Sequence, residues 1–326
     1  MRSWPETFAE FSKQRVLIIG DVMVDAYIWG SVDRISPEAP VPVMLVKNRD
    51  FRLGGAANVA LNLLSLGATP VLCTIAGDDE QGKRLISLME ERRMTVDGLV
   101  ISATRPTTLK ARVIASNQHV LRIDQESDEV ATSVEEMALL KKIEKLLPTC
   151  QVVVFEDYDK GVITPKIISQ TVSWAKEKNI PTVVDPKKRN FLQYKGVTLF
   201  KPNLKELREG LKIDLDAHQE SSVRDAVRLL KERLSVEGVM LTMSEHGVFV
   251  DAGGEQHLVP AHKREIADVS GAGDTVVSIA ALCVALKLDA RETATLANLG
   301  GGIVCQYVGV VPIDRTELLN EVEGVQ

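Results

Sequence analysis

Short apolar, β-branched runs alternate along the chain with amphipathic stretches. RVLIIGD (15–21), PVLCTIAG (70–77), QVVVFED (151–157), IPTVVD (180–185), VTLFKPN (197–203) and GVMLTM (238–243) predict buried strands. AANVALNLLSLGA (56–68), DEQGKRLISLMEERR (79–93), PKIISQTVSWAKEKN (165–179) and SVRDAVRLLKERL (222–234) predict helices, the first with Gly67 just past its end. IDRTELLNEVEG (313–324) predicts a last helix. Strands apolar on both faces, alternating with helices, predict an α/β fold: a doubly wound, mostly parallel sheet with helices on both faces.

Two regions break the alternation. Residues 27–51 contain the Pro-rich SPEAPVPVMLVKN, and TTLKARVIASNQHVLRID (107–124) reads as two strands around a turn near Asn117. Together they predict a small β-sheet lid at the carboxyl edge of the main sheet, where ligands of such folds sit. The expected division is a main domain of residues 1–26, 52–106 and 125–326 and a lid of 27–51 and 107–124.

The 326 residues, 45% hydrophobic, suffice for one large domain with a small appendage. A formal net charge of -6 gives no global signal for nucleic acid or an anionic membrane, so an anionic substrate needs a local basic cluster. Cys73, Cys150, Cys283 and Cys305 form no CxxC pair. Cys73, Cys283 and Cys305 lie in apolar segments and read as buried small hydrophobes. The histidines lack HExxH spacing, so no protein-built zinc site is expected. MRSWPETFAEFSKQR lacks the apolar region of a signal peptide, and no apolar run reaches the roughly 18 residues of a membrane span. The expectation is a soluble, cytoplasmic protein.

GDDEQGKR (77–84) nearly spells a phosphate-binding P-loop, but Arg84 stands where Ser or Thr is needed and three acidic residues precede it. GAGDTV (271–276) nearly spells the dinucleotide fingerprint, but Val276 replaces the third Gly and the motif lies late in the chain. DVSGAGDTVVSIAALCVAL (268–286) carries more. A helix starting near Ala272 leaves its first amide groups without intrahelical partners, and these attract anions. Asp274 falls in its first turn, and the apolar run behind it predicts a buried helix with a fixed start. A carboxylate beside an anion hole suits phosphoryl transfer to an alcohol: Asp274 takes the hydroxyl proton, and the amides of Ala272, Gly273 and Asp274 receive the phosphoryl charge. The alternative is an Asp that only stabilises the start of a buried helix.

DVSGAGDTVVS resembles the C-terminal D-T-G-A-G-D signature of the ribokinase-like (PfkB) carbohydrate kinases, with Ser270 in place of Thr, and GGAANVALNLLSLGA resembles their other signature. The resemblance spans essentially the whole chain. IGDVMVDAYIWG, RISPEAPVPV, NQHVLRID, DYDKG and DPK narrow it to the kinases of ADP-heptose synthesis, which phosphorylate D-glycero-D-manno-heptose 7-phosphate at O1. Glu156, where Ser is usual before Asp157, departs from that pattern. The resemblance implies Asp274 as catalytic base, with Gly271, Ala272 and Gly273 as anion hole. It implies ATP and Mg²⁺, with Asn203 and Glu206 of the N-x-x-E motif holding the ion through water. The same pair also fits an ordinary helix capping box. Thr242, Ser244 and Gly247 match a nucleotide-side loop, which also reads as a strand-to-strand turn, and Asn298 matches a position near adenine.

On the sugar side the resemblance implies Asp21, Asp25, Gly54, Gly55 and Asn58, the alternatives being a loop cap for Asp21 and a plain helix start for the turn. Asp157 and Asp185 lie at the carboxyl ends of core strands. The second substrate phosphate calls for Lys110 and Arg112, which share one strand face, with Arg122, Lys160 and Lys187. Open lid edges imply a homodimer through the lid. Some relatives carry a fused nucleotidyltransferase with an H-x-G-H motif, absent here, so a stand-alone kinase or one domain of a fused enzyme is expected. Within the family, another sugar, sugar phosphate or nucleoside is the alternative acceptor; outside catalysis, the alternative is a sugar-binding regulator.

Overall fold

The structure is a computed structural model that describes residues 2–116, 118–262 and 264–324. The chain runs α1 (Trp4–Phe11), β1 (Arg15–Gly20), β2 (Val22–Ile35), β3 (Pro42–Gly55), α2 (Ala56–Ser65), β4 (Thr69–Gly77), α3 (Glu80–Glu91), β5 (Leu99–Ser102), β6 (Thr108–Ala115) and β7 (Gln118–Gln125). It continues through α4 (Ser133–Leu146), β8 (Val152–Glu156), α5 (Pro165–Glu177), β9 (Thr182–Asp185), β10 (Leu199–Phe200), α6 (Leu204–Leu211), α7 (Glu220–Leu234), β11 (Gly238–Thr242), β12 (Val248–Ala252) and β13 (Glu255–Val259). Helices α8 (Ala272–Ala285), α9 (Ala290–Val304) and α10 (Arg315–Gly324) complete it.

The main sheet has nine strands in the order β13-β12-β11-β10-β9-β8-β1-β4-β5. It is parallel from β5 to β11, and β12 and β13 run antiparallel. One hydrophobic cluster packs α1, α2, α3, α8, α9 and α10 on one face; a second packs α4, α5, α6 and α7 on the other. Strands such as β1 are therefore apolar on both sides, as their continuous Val-Leu-Ile runs require. From β1 the chain proceeds one way through β4 and β5 and the other way through β8 to β11. That reversal opens a crevice beyond the carboxyl ends of β1 and β8, the usual ligand position of such sheets.

The predicted elements are present, with instructive differences. The strand expected at 197–203 is a regular ladder only at Leu199–Phe200; beyond it Lys201 still donates to Val184 and Asn203 bridges Thr242, while Pro202 has no N–H to add. Cys73 and Cys283 are buried, whereas Cys305 is half-buried. Among the described residues no helix is long and apolar enough to cross a membrane.

Helix α8 fixes the site. Ten of its residues, Asp274 to Cys283, are buried, and each fully buried Val, Ile or Leu contributes about 1.5–3 kcal/mol relative to exposure. A helix held this firmly cannot move its first turn without disturbing the core.

A separate sheet of order β3-β2-β6-β7 stands at the same edge. It takes in more chain than residues 27–51 and 107–124, because β2 begins one residue after β1 ends and pairs with β3 from Val22↔Gly55 to Ile35↔Pro42. The feet of both strands, Val22 to Ala26 and Leu53 to Gly55, are buried in the main body, which conceals their half-exposed pattern. Strands β6 and β7 pair as predicted; Asn117, near the expected turn, lies outside the described residues.

Candidate active site

The first turn of α8 carries Asp274, 4% exposed. Gly271 is its N-cap, in the left-handed region at φ 82°, which only glycine adopts without strain. Asn58, from the buried start of α2, donates through Nδ2 to Asp274 Oδ2 at 2.7 Å. Tyr158, in the loop after β8, donates its hydroxyl to Asp274 Oδ1, also at 2.7 Å. Burial raises the Asp274 carboxyl from its ordinary range to about 6, while the two donors stabilise the charged form and limit the rise. Burial and the neighbouring carboxylate push Tyr158 upward, so it stays protonated and donating.

The amides beside this carboxylate divide unequally. Ala272 N–H turns back to the Val269 carbonyl at 3.3 Å, so it is partly spent, against expectation. The N–H groups of Gly271, Gly273 and Asp274 have no acceptor among the described residues. A Cβ at Gly273 would lie 3.5 Å from Asp185 Oδ2 and 3.9 Å from Lys201 Nζ, so a buried ion pair sits directly under the helix start. Lys201, 2% exposed, contacts Asp185 Oδ2 at 2.9 Å. Burial alone would lower the Lys201 pKa, but Asp185 and Glu206 outweigh it and keep the ammonium charged. Burial would likewise raise Asp185, but Lys187 and Lys201 hold it below its ordinary range.

Glu156, a departure from the usual Ser with no site role expected, and Asp157, expected at the site, face opposite sides of the sheet. Side chains alternate along a strand. Glu156 pairs in register with Gly20 and Asp185 and shares their face, beneath α8. Asp157 points the other way and accepts from Asn190 at 3.0 Å, Tyr194 at 2.7 Å and the Asp159 amide at 2.9 Å. These three donors tie Asp157 to the 159–194 segment in this structure. Glu156 is fully buried, and neither carboxyl oxygen has a hydrogen-bond partner. Burial, then Asp185 and Asp274, push its pKa well above the ordinary range.

Asn203 and Glu206 form a reciprocal capping box at the start of α6. The Glu206 amide donates to Asn203 Oδ1 at 2.9 Å, and the Asn203 amide donates to Glu206 Oε2 at 2.8 Å. Glu206 Oε1 remains toward the site and holds Lys187 Nζ at 2.6 Å. Lys187 also lies 3.6 Å from Asp185. It therefore belongs with the carboxylates under α8 and not, as expected, with a distant substrate phosphate. Asp185 Oδ1, without a hydrogen bond, lies near the Asn203–Glu206 pair, and these oxygens suit a hydrated Mg²⁺. Among the described residues no three acidic, His or Cys side chains are spaced to cage a metal alone.

Thr242 ends β11 and bridges Asn203, so the two expected nucleotide-side segments meet. Ser244 opens a 3-10 turn between β11 and β12, and Gly247 closes it; the loop is indeed a strand-to-strand hairpin at a sheet carboxyl end. Asn298, on α9, donates to the Pro260 carbonyl at 2.8 Å.

On the other side of Asp274, Asp21 follows β1 and accepts from the amides of Tyr158 at 2.8 Å, Lys160 at 3.2 Å and Val162 at 3.0 Å. These bonds cap the 158–162 loop, as the loop-cap alternative expects, while Oδ1 accepts only the Val162 amide. Asp25 is 2% exposed and ion-paired with Arg112. Gly54 makes room for it, since a Cβ there would lie 2.1 Å from Asp25 Oδ2. Gly55 caps α2. Lys110 and Lys160 both face Glu126. Arg122, on the exposed edge strand β7, lies directly across from Arg112 in the ladder and pairs with Asp124 at 3.0 Å, its side chain 63% exposed.

Tyr158 and Lys201 escape sequence reasoning. DYDKG and LFKPN contain them, yet neither aromatic nor lysine is unusual after a strand. The usable signal is position: both follow the carboxyl end of a core strand.

A buried carboxylate beside unpaired amides and a buried ammonium is an arrangement suited to phosphoryl transfer to an alcohol. The profile of the pfkB family carbohydrate kinases matches residues 13–316, and the chain belongs to this family. It is 40% identical over 306 residues to the protein named Bifunctional protein HldE of Syntrophotalea carbinolica, and 38% identical over 304 residues to that of Wolinella succinogenes. These alignments cover 93% of the chain but 62% and 63% of those relatives, so the chain spans under two thirds of their length. The fold is that of phosphofructokinase-2 from Escherichia coli in complex with potassium (TM-score 0.79, 19% identity, 96% of this chain and 99% of that one). Ribokinase from Arabidopsis thaliana complexed with ribose and ATP shares it (TM-score 0.72, 16% identity, 94% and 98%).

Proposed function

We propose that the chain transfers the γ-phosphoryl group of ATP to O1 of D-glycero-β-D-manno-heptose 7-phosphate, giving the 1,7-bisphosphate used in ADP-heptose and lipopolysaccharide-core synthesis in the cytoplasm. The observation that carries the kinase chemistry is the buried Asp274 carboxylate beside the unpaired amides of its own helix start. The relatives named HldE and the DYDKG and DPK segments support the heptose acceptor.

Asp274 receives the O1 proton, and Asn58 keeps its carboxylate aimed. The amides of Gly271, Gly273 and Asp274, with Lys201 beneath, stabilise charge on the moving phosphoryl group. Mg²⁺, when bound, neutralises phosphate charge. Asn203 and Glu206 would hold it through water, next to Asp185. Thr242, Ser244, Gly247 and Asn298 form the nucleotide side. Lys110 and Lys160 hold the 7-phosphate. The second sheet acts as a lid that excludes water during transfer. Its edge strand β7 exposes Leu121 and Ile123, alternate residues that share one side of the strand, an apolar edge suited to a second copy.

A coupled ADP assay with ATP, Mg²⁺ and a panel of heptose 7-phosphate, sedoheptulose 7-phosphate, ribose, fructose and adenosine tests the acceptor. Turnover confined to heptose 7-phosphate is expected; preferred turnover of another member would discard the heptose reading.

A further inference from the structure

We infer that Glu126 is a built-in occupant of the phosphate subsite, a carboxylate that holds Lys110 and Lys160 until a phosphate group displaces it. Glu126 Oε1 lies 2.7 Å from Lys160 Nζ, and Oε2 lies 3.7 Å from Lys110 Nζ. The two lysines come from different sheets. Lys110 stands on β6 of the second sheet; Lys160 stands in the loop after β8, its backbone amide fixed by Asp21. A single carboxylate thus bridges the second sheet and the main body.

The surroundings leave Glu126 able to move. Side-chain exposure is 31% for Glu126, 20% for Lys110 and 17% for Lys160, so the group is reachable from solvent. The connector just beyond is anchored through backbone carbonyls: Arg189 holds that of Asp128 at 2.7 Å, and Arg105 holds that of Glu129. Glu126 itself is held only through its side chain, so it can swing away without unseating the connector. A phosphate monoester carries nearly two charges and three acceptor oxygens against one charge and two oxygens for a carboxylate. It spans two ammonium groups better, and the long Lys110 contact marks the slack it would take up. Glu126 would then set a threshold: a dianionic phosphate displaces it, while a neutral sugar or a weak monoanion does not.

The inference rests on the proposed sugar-phosphate reading only for the identity of the natural ligand, so its test uses inorganic phosphate and no turnover. Isothermal titration with phosphate at constant ionic strength compares the full chain with Glu126→Gln and with the double variant Lys110→Ala, Lys160→Ala. Glu126→Gln is expected to bind phosphate about three- to tenfold tighter, the scale of one lost competing ion pair. The double lysine variant is expected to lose the binding. Glu126→Asp, too short to span both lysines, is expected to tighten binding as well and serves if Glu126→Gln does not fold. Equal or weaker binding by the Glu126 variants, or wild-type binding by the double variant, would overturn the inference. A chain that fails to phosphorylate heptose 7-phosphate yet shows these affinities would leave it standing.

Discussion

The hydroxyl of Tyr158 is 2.7 Å from Asp274 Oδ1, and it occupies the oxygen that Asn58 leaves free. The proposed base is therefore held between two donors before any substrate arrives. Burial raises its pKa to about 6, and the donors oppose that rise. Because the reactive form is the carboxylate, kcat/KM should fall as pH drops through about 6. Tyr158→Phe removes a donor to the charged form, so the pKa rises further and the acidic limb moves up, by about one pH unit for one charge-assisted hydrogen bond. A pH–rate profile checks this; an unmoved limb would separate Tyr158 from the base.

Glu156 gives a stability prediction with the pH sign fixed. Its folded pKa is raised above the unfolded value of 4.5 by burial and by Asp185 and Asp274. The unfolded chain releases that proton more easily, so stability is full below about 4.5 and declines as pH rises toward the folded pKa. Glu156→Gln cannot ionise and should melt a few degrees higher at pH 8, with the gap closing as pH falls to about 4.5. Calorimetry at several pH values checks it; a gap that widens in acid would contradict it.

Lys201 neutralises Asp185 in a fully buried pair. Removing Lys201 leaves the buried Asp185 carboxylate with only Lys187, 3.6 Å away and partly exposed, so Lys201→Met should cost about 3 kcal/mol in urea unfolding, the low end for a broken buried pair. Lys187→Met, whose pair is 30% exposed on the lysine side, should cost less. Equal costs would show that burial does not rank these two pairs.

The apolar edges of the second sheet predict a dimer in solution. Leu121 and Ile123, 56% and 49% exposed, sit on β7, and replacing both with Glu should convert a dimer to a monomer at micromolar concentration. Light scattering after gel filtration reads the mass directly; a wild-type monomer would remove the proposed interface.

Much of this architecture is legible in the chain. Apolar runs ending in Asp or Asn locate the carboxyl edge, and Gly271 before an apolar stretch locates the start of α8. The capping box of Asn203 and Glu206 is also readable. What escapes is side-chain direction at strand ends. Glu156 and Asp157 are adjacent, and a shift of one residue decides which faces α8 and which faces Asn190 and Tyr194. The extent of β2 escapes because its first six residues, Val22 to Tyr27, are buried, and nothing in their pattern marks them as part of the second sheet. Lys201 escapes because its partner, Asp185, lies on a neighbouring strand.

The central claim is that Asp274 takes the acceptor proton beside the start of α8. The most direct measurement is single-turnover phosphoryl transfer to heptose 7-phosphate by wild type and Asp274→Asn, with ATP affinity measured in parallel. The account predicts a fall of roughly 10²–10⁴-fold in the transfer rate with ATP affinity retained. Transfer by Asp274→Asn within about threefold of wild type would contradict it, because a general base worth so little lies outside that range.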